Sequence, residues 1–241
     1  MGRQLLCALT FATVSLASDC AAQVPFAVLS WGPDCGGVLR NVNFAGPRSY
    51  SLWVWVKNLT PDNENVGFQI FLTCSTSIED VPDAWRFDDA GCQTGRFASD
   101  QGGSCPSMLG TDPVGIVQVE HDATEHRMIF GYTVSYNPMI PAPGTVYTLW
   151  HLSFDHSLSV AGSDGNLATC DHVDDPVCFM IAAPNDPAFQ SYLLSPSQVK
   201  TPFAFGNPPD QYASWNASAN CPQAIDPTEP GTWGRVKSLY R

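Results

Sequence analysis

Between residues 24 and 205, apolar side chains recur at every second position, in runs cut short by Gly, Pro, Asn and Asp. A β-strand turns successive side chains to opposite faces, so the pattern fits half-buried strands and leaves little room for helices. It is clearest at 145–155, where Val146, Thr148, Trp150, Leu152 and Phe154 face one way. Tyr147, Leu149, His151, Ser153 and Asp155 face the other. The same reading places strands at 24–31, 49–58, 67–74, 114–121, 127–136, 177–183 and 191–194. The phrase SLWVWVKN within 49–58 is apolar on both faces, which marks a central strand covered on both sides. Asp122-Ala123-Thr124-Glu125 joins the strands at 114–121 and 127–136 into a hairpin. About eight strands, 20 prolines, 19 glycines and no sustained 3.6-residue period predict an all-β chain, a two-layer antiparallel β-sandwich.

Residues 1–22 carry the marks of an export signal: Arg3, an uncharged apolar run over 5–16, then small residues at Ala17, Ser18, Ala21 and Ala22. The run is shorter than the roughly 20 residues that span a bilayer, and no later segment is long and apolar enough to do so. The mature chain is therefore expected outside the reducing cytosol, secreted or at the cell surface, with its cysteines in disulfides. Cleavage after Ala22 leaves Cys35, Cys74, Cys92, Cys105, Cys170, Cys178 and Cys221, an odd set. Cleavage after Ala17 keeps Cys20 and makes the set even; the Ala-Ala-Gln junction favours Ala22. A net charge of -12, with lysine only at Lys57, Lys200 and Lys237, excludes a phosphate-backbone footprint and so a nucleic-acid partner.

The sandwich is expected over 23–220, with an insertion at 75–113 that shows no sustained alternation. Cys92 and Cys105 lie close enough in sequence to staple that insertion, and Cys170 and Cys178 close enough for a second local bridge. Connectivity among Cys35, Cys74 and Cys221 is open. Residues 221–241 change character: a Pro-rich spacer, CPQAIDPTEPG, precedes the tail TWGRVKSLYR. Arg235, Lys237 and Arg241 put three of the ten basic residues that follow the export segment into the last seven positions of an acidic chain. Thr232 suits the cap of a short helical turn with Trp233, Val236 and Tyr240 along one side, a candidate docking or surface-retention segment.

Four constellations bear on chemistry. Trp85, Phe87 and Phe97 lie in the insertion, and Trp85 is the leading candidate for an exposed contact. His121 and His126 flank the hairpin turn beside Glu120, Asp122 and Glu125, a candidate zinc or copper pair, without an HExxH or paired CxxC pattern. His151, Asp155, His172 and Asp174 form a candidate catalytic or metal-binding region. Ser163-Asp164-Gly165-Asn166 begins a calcium loop without completing it, so calcium binding in the acidic loops is expected to be weak at most, and no other cofactor is implied. There is no G-x-S-x-G, phosphate-binding glycine loop or dinucleotide fingerprint.

The segment SLWVWVKNLTPDNENVGFQIFLTC resembles the early strand pair of cohesin-like and related bacterial extracellular sandwiches, and GTVYTLWHLSFD resembles their late glycine-led core strand. The resemblance covers 49–155 and implies a sandwich that binds. The long insertion and the cysteine density depart from that pattern and count against a dockerin-binding role. TWGRVKSLYR also looks like C-terminal tails of secreted proteins from uncultured bacterial lineages. The expectation drawn from these readings is a non-catalytic extracellular binding or adhesion module for a carbohydrate or protein, with cell-surface association through the tail. A secreted hydrolase or metal-dependent enzyme using His151, Asp155, His172 and Asp174 is one alternative. A surface-layer or fibre subunit is another, marked by an unprotected strand edge or by self-association through the tail.

Overall fold

The computed structural model describes residues 24–76, 80–182, 189–204, 211–216 and 221. The export segment and the tail carrying Trp233, Arg235, Lys237, Tyr240 and Arg241 lie outside the described residues. Twelve strands form within them: β1 (Phe26–Ser30), β2 (Asn41–Val42), β3 (Ser49–Lys57), β4 (Asn65–Ser75), β5 (Phe97–Asp100), β6 (Val114–Asp122), β7 (Arg127–Met139), β8 (Tyr147–Asp155), β9 (Val177–Ile181), β10 (Tyr192–Leu194), β11 (Lys200–Pro202) and β12 (Tyr212–Trp215). Eight of these occupy the alternating runs. The other four, β2, β5, β11 and β12, are two to four residues long, too short to display a period.

The strands make two sheets, as a sandwich requires. The smaller has the order β1-β3-β8-β5, antiparallel throughout, with β5 at one edge. The larger is built around β4, which pairs with β7 along one side. Its other side is shared by β9, near the end of β4, and β10, near its start. The sheet continues from β9 to β12 and β2, and from β10 to β11. Beyond β7 lies β6, whose one strand partner among the described residues is β7. β5 and β6 are thus outer strands of the two sheets.

Alternation decides what each sheet buries. Leu52, Val54 and Val56 of β3, Phe68, Ile70, Leu72 and Cys74 of β4, and Met128, Phe130 and Val134 of β7 share one buried core with Trp150, Leu152 and Phe154 of β8. At roughly 25 cal/mol per Å² of apolar surface removed from water, such inward rows supply the main driving force for closing the two sheets. One expected face is corrected. Tyr147 and Leu149 join the core, while Thr148 belongs to the other face. The register of β3 with β8 slips between Val54 and Trp55, passing over Leu149, and this bulge inverts the alternation on its far side.

The insertion is part of the core rather than a separate excursion. A 3-10 turn, Asp83–Trp85, tucks the indole of Trp85 against Phe154, Phe179, His156 and Trp215, with ring centroids 4.5–5.4 Å away. Trp85 is fully buried and Phe87 nearly so, which overturns the reading of Trp85 as an exposed contact. The short-range disulfides are corrected too. Cys35 pairs with Cys105, Cys92 with Cys170 and Cys178 with Cys221, across 70, 78 and 43 residues. Each bridge ties a loop to a distant element, because the insertion runs over the sandwich instead of closing on itself. Cys74 is the unpaired cysteine among the seven described, buried in β4 with burial raising its thiol pKa.

Candidate functional site

β6 differs from every other long strand in what it leaves uncovered. Val117 and Val119 stand opposite Tyr132 and Phe130 of β7 and point into the sandwich, where Val119 packs on the core. Val114 and Ile116 lie on the opposite face and are 74% and 73% exposed, with Val117 at 42%. A long, apolar strand with one free side is a ready template for pairing, which proteins ordinarily cover or blunt.

Facing β6 across the gap between the sheets is the segment that leads into β5. Arg86 and Asp88 close it with an ion pair at 2.7 Å, and the guanidinium's hydrogen bond holds the Asp88 carboxyl below its usual range. Gln93 N–H donates to the Arg86 carbonyl at 2.9 Å, and Gly91 sits so close that a Cβ there would fall 2.2 Å from that oxygen. With the Cys92–Cys170 bridge, these contacts form a fixed knob. Between knob and strand is a cleft of about 560 Å³ lined by Phe87, Asp89, Gly95 and Phe97 on one side and Ile116, Val117, Gln118 and Val119 on the other. Phe87, Phe97, Val117 and Val119 make its floor apolar and Asp89 puts a carboxylate on its rim; Glu120, on the opposite face of β6, accepts from Gln118 Nε2 at 2.8 Å, and neither carboxylate has a basic partner among the described residues. Of the three aromatics expected to bind, Phe87 and Phe97 line this cleft and Trp85 does not.

The hairpin histidines meet, though not as expected. His121 Nε2 lies 3.0 Å and His126 Nδ1 3.8 Å from Asp80 Oδ1, which also accepts the Val81 N–H. Burial pushes the Asp80 carboxyl up, and the His121 and Val81 hydrogen bonds with the two imidazoles carry it below its ordinary value. The pair therefore fastens the β6–β7 turn to the insertion. Among the described residues, no three His, Cys, Asp or Glu side chains are grouped to hold a metal ion.

His151, Asp155, His172 and Asp174 are not brought together. His151 stacks on Trp53 with centroids 4.7 Å apart and its Nδ1 is 2.8 Å from Asp100 Oδ1. Asp155 pairs with Arg96 at 2.9 Å, His172 lies 3.7 Å from Asp175, and Asp174 accepts the Gly162 N–H. In the acidic loop, Asp164 Oδ1 accepts from the Asn166 N–H and the Thr169 hydroxyl, so the turn uses that oxygen itself. The fifth histidine, His156, is fully buried, and burial pushes its pKa down to about 3, so it is neutral at any ordinary pH.

The edge character of β6 escapes sequence reading because alternation gives facing, not neighbours. One signal was present: Val114 and Ile116 are apolar on the face that Gln118 and Glu120 make polar.

No protein-family model and no curated protein sequence matches the chain. Among solved structures it is similar to the sixth cohesin of scaffoldin B from Acetivibrio cellulolyticus, crystallised in complex with a dockerin: 10% identity, TM-score 0.39, covering 81% of this chain and 99% of that one. It is also similar to a type II cohesin domain from the cellulosome of the same organism, at 12% identity and TM-score 0.41, covering 81% and 95%. A third likeness is to BcpA, the major pilin subunit of Bacillus cereus, at 9% identity and TM-score 0.26, covering 79% of this chain and 38% of that one. The two cohesins belong to the family that residues 49–155 resemble, and the likeness concerns the fold alone.

Proposed function

We propose that this chain is a non-catalytic extracellular module that holds a protein partner along β6, the partner adding an extended segment to the free edge and seating side chains in the cleft. The observation that carries this reading is the apolar edge of β6, free among the described residues, beside a cleft floored by Phe87, Phe97, Val117 and Val119. An edge supplies main-chain hydrogen bonds for affinity, and alternate side chains entering a pocket supply specificity. A protein is favoured over a carbohydrate because Trp31, Trp55, Trp85, Trp150 and Trp215 are all buried and Trp53 is stacked on His151, which leaves no open aromatic platform among the described tryptophans. The extracellular placement rests on three disulfides that bind distant elements and on the export features of residues 1–22. No helix among the described residues is long and apolar enough to cross a membrane.

The test is selection of extended peptides from a phage-displayed random library, followed by binding to the Val117→Lys variant. A charge facing the cleft should abolish binding of the selected peptides. Peptides that bind the variant as well as the parent would refute the assignment.

A further inference from the structure

We propose that the resident occupant of the β6 edge is the chain's own C-terminal segment, residues 232–241, laid along β6 as an added antiparallel strand. The inference rests on the reading of β6 as a binding edge, and reach, direction, charge and pattern each support it.

Reach and direction follow from strand register. Cys221 is anchored to Cys178; Cys178 lies opposite Ser75 of β4, Ser75 opposite Arg127 of β7, and Arg127 opposite Asp122 of β6. Cys178 therefore sits at the Asp122 end of the sheet, about 14 Å or three strand spacings from β6, and the Cα of Cys221 lies 5.5 Å from that of Cys178. Ten residues, 222–231, separate Cys221 from the tail. A Pro-rich spacer at about 3.1 Å per residue spans roughly 30 Å, so the tail reaches β6 with length to spare. Entering at the Asp122 end and running toward Val114, it would lie antiparallel to β6. Ten residues match the nine of β6.

Charge agrees. Between residues 24 and 221 there are 20 acidic and seven basic residues, and Glu120, without a basic partner among the described residues, stands on the face of β6 opposite the cleft. The tail holds Arg235, Lys237 and Arg241 and no acid. Period-two alternation also places Val236 and Tyr240 on one face for the cleft. Trp233 and Leu239 fall with the basic side chains on the other, where Val114, Ile116 and Glu120 lie. A helical turn is the weaker alternative for the tail: ten residues are too few for a stable isolated helix, and Gly234 and Val236 oppose one. Tethering gives the tail an effective concentration in the millimolar range, so modest affinity suffices, and an outside partner must displace it.

The experiment is hydrogen exchange of the β6 amides in the full secreted chain and in the full chain carrying Arg235→Glu, Lys237→Glu and Arg241→Glu, which leaves the sandwich untouched. Exchange over 114–120 should be at least about tenfold slower in the parent, and the synthetic peptide TWGRVKSLYR added to the variant should restore it. Fast exchange in both chains, with no response to TWGRVKSLYR but slowing by a library-selected peptide, would overturn the tail as occupant and leave the binding edge standing. Slow exchange in both would overturn both readings, since something else then covers β6. Protection that rises with protein concentration together with a dimer mass would overturn occupancy by the chain's own tail in favour of a second copy's.

Discussion

The buried imidazole of His156 should make this fold acid-sensitive at pH values above the ordinary carboxylate range. His156 is enclosed by Tyr50, Trp85, Phe87 and Trp215 with ring centroids 4.5–5.9 Å away, and its Nδ1 is hydrogen-bonded to Ser159 Oγ at 2.9 Å. Burial depresses its pKa to about 3 from an ordinary 6.5, and the nearby Asp155 charge opposes this only in part. The unfolded chain therefore takes up a proton that the folded chain refuses, and stability falls as pH drops from 6.5 toward 3. At pH 5 the loss relative to pH 7.5 comes to about 2 kcal/mol, with a slope approaching 1.4 kcal/mol per pH unit. Asp88 and Asp100 are held below the ordinary carboxylate value and stay ionised between pH 7.5 and 5. Urea unfolding at intervals between pH 7.5 and 5 measures the slope, and an NMR titration of the His156 ring checks its source. Stability that is flat over this range, a ring that titrates near 6.5, or a slope unchanged in His156→Gln would each refute the reasoning.

Trp85→Ala should cost about 3–5 kcal/mol in urea unfolding while selected peptides still bind the folded variant, because the indole is core rather than contact. Replacing Cys92 and Cys170 by Ser opens a loop of 78 residues and should cost about 4.5 kcal/mol in the chain-entropy model, measured the same way. The Cys74 thiol should resist alkylation in the native protein and react once the chain is unfolded without reductant, a difference that mass spectrometry reads directly.

How much of this was legible depends on whether the signal is local. The inward rows of β4 and β7 could be read residue by residue, since Phe68, Ile70, Leu72 and Cys74 alternate without interruption. In β8 the same logic failed at Leu149, where a bulge changes the face without changing the composition. The disulfides were misread because sequence proximity favours short loops, whereas Cys105 and Cys170 find partners in elements that only the fold brings near. Trp85 shows the same limit: outside a periodic element nothing local says which way a side chain turns, and the core had room for it. Of the candidate site, Phe87 and Phe97 were recognisable as aromatics of the insertion, but their cleft exists only because β6 ends one sheet opposite β5 in the other.

The assignment of β6 as the binding edge meets its most direct test in backbone NMR of the chain titrated with a library-selected peptide. Perturbations should concentrate at 114–120, Phe87 and Phe97, with newly protected β6 amides. Perturbations centred instead on Trp53, His151 and Asp100, on the outer face of the smaller sheet, would contradict it.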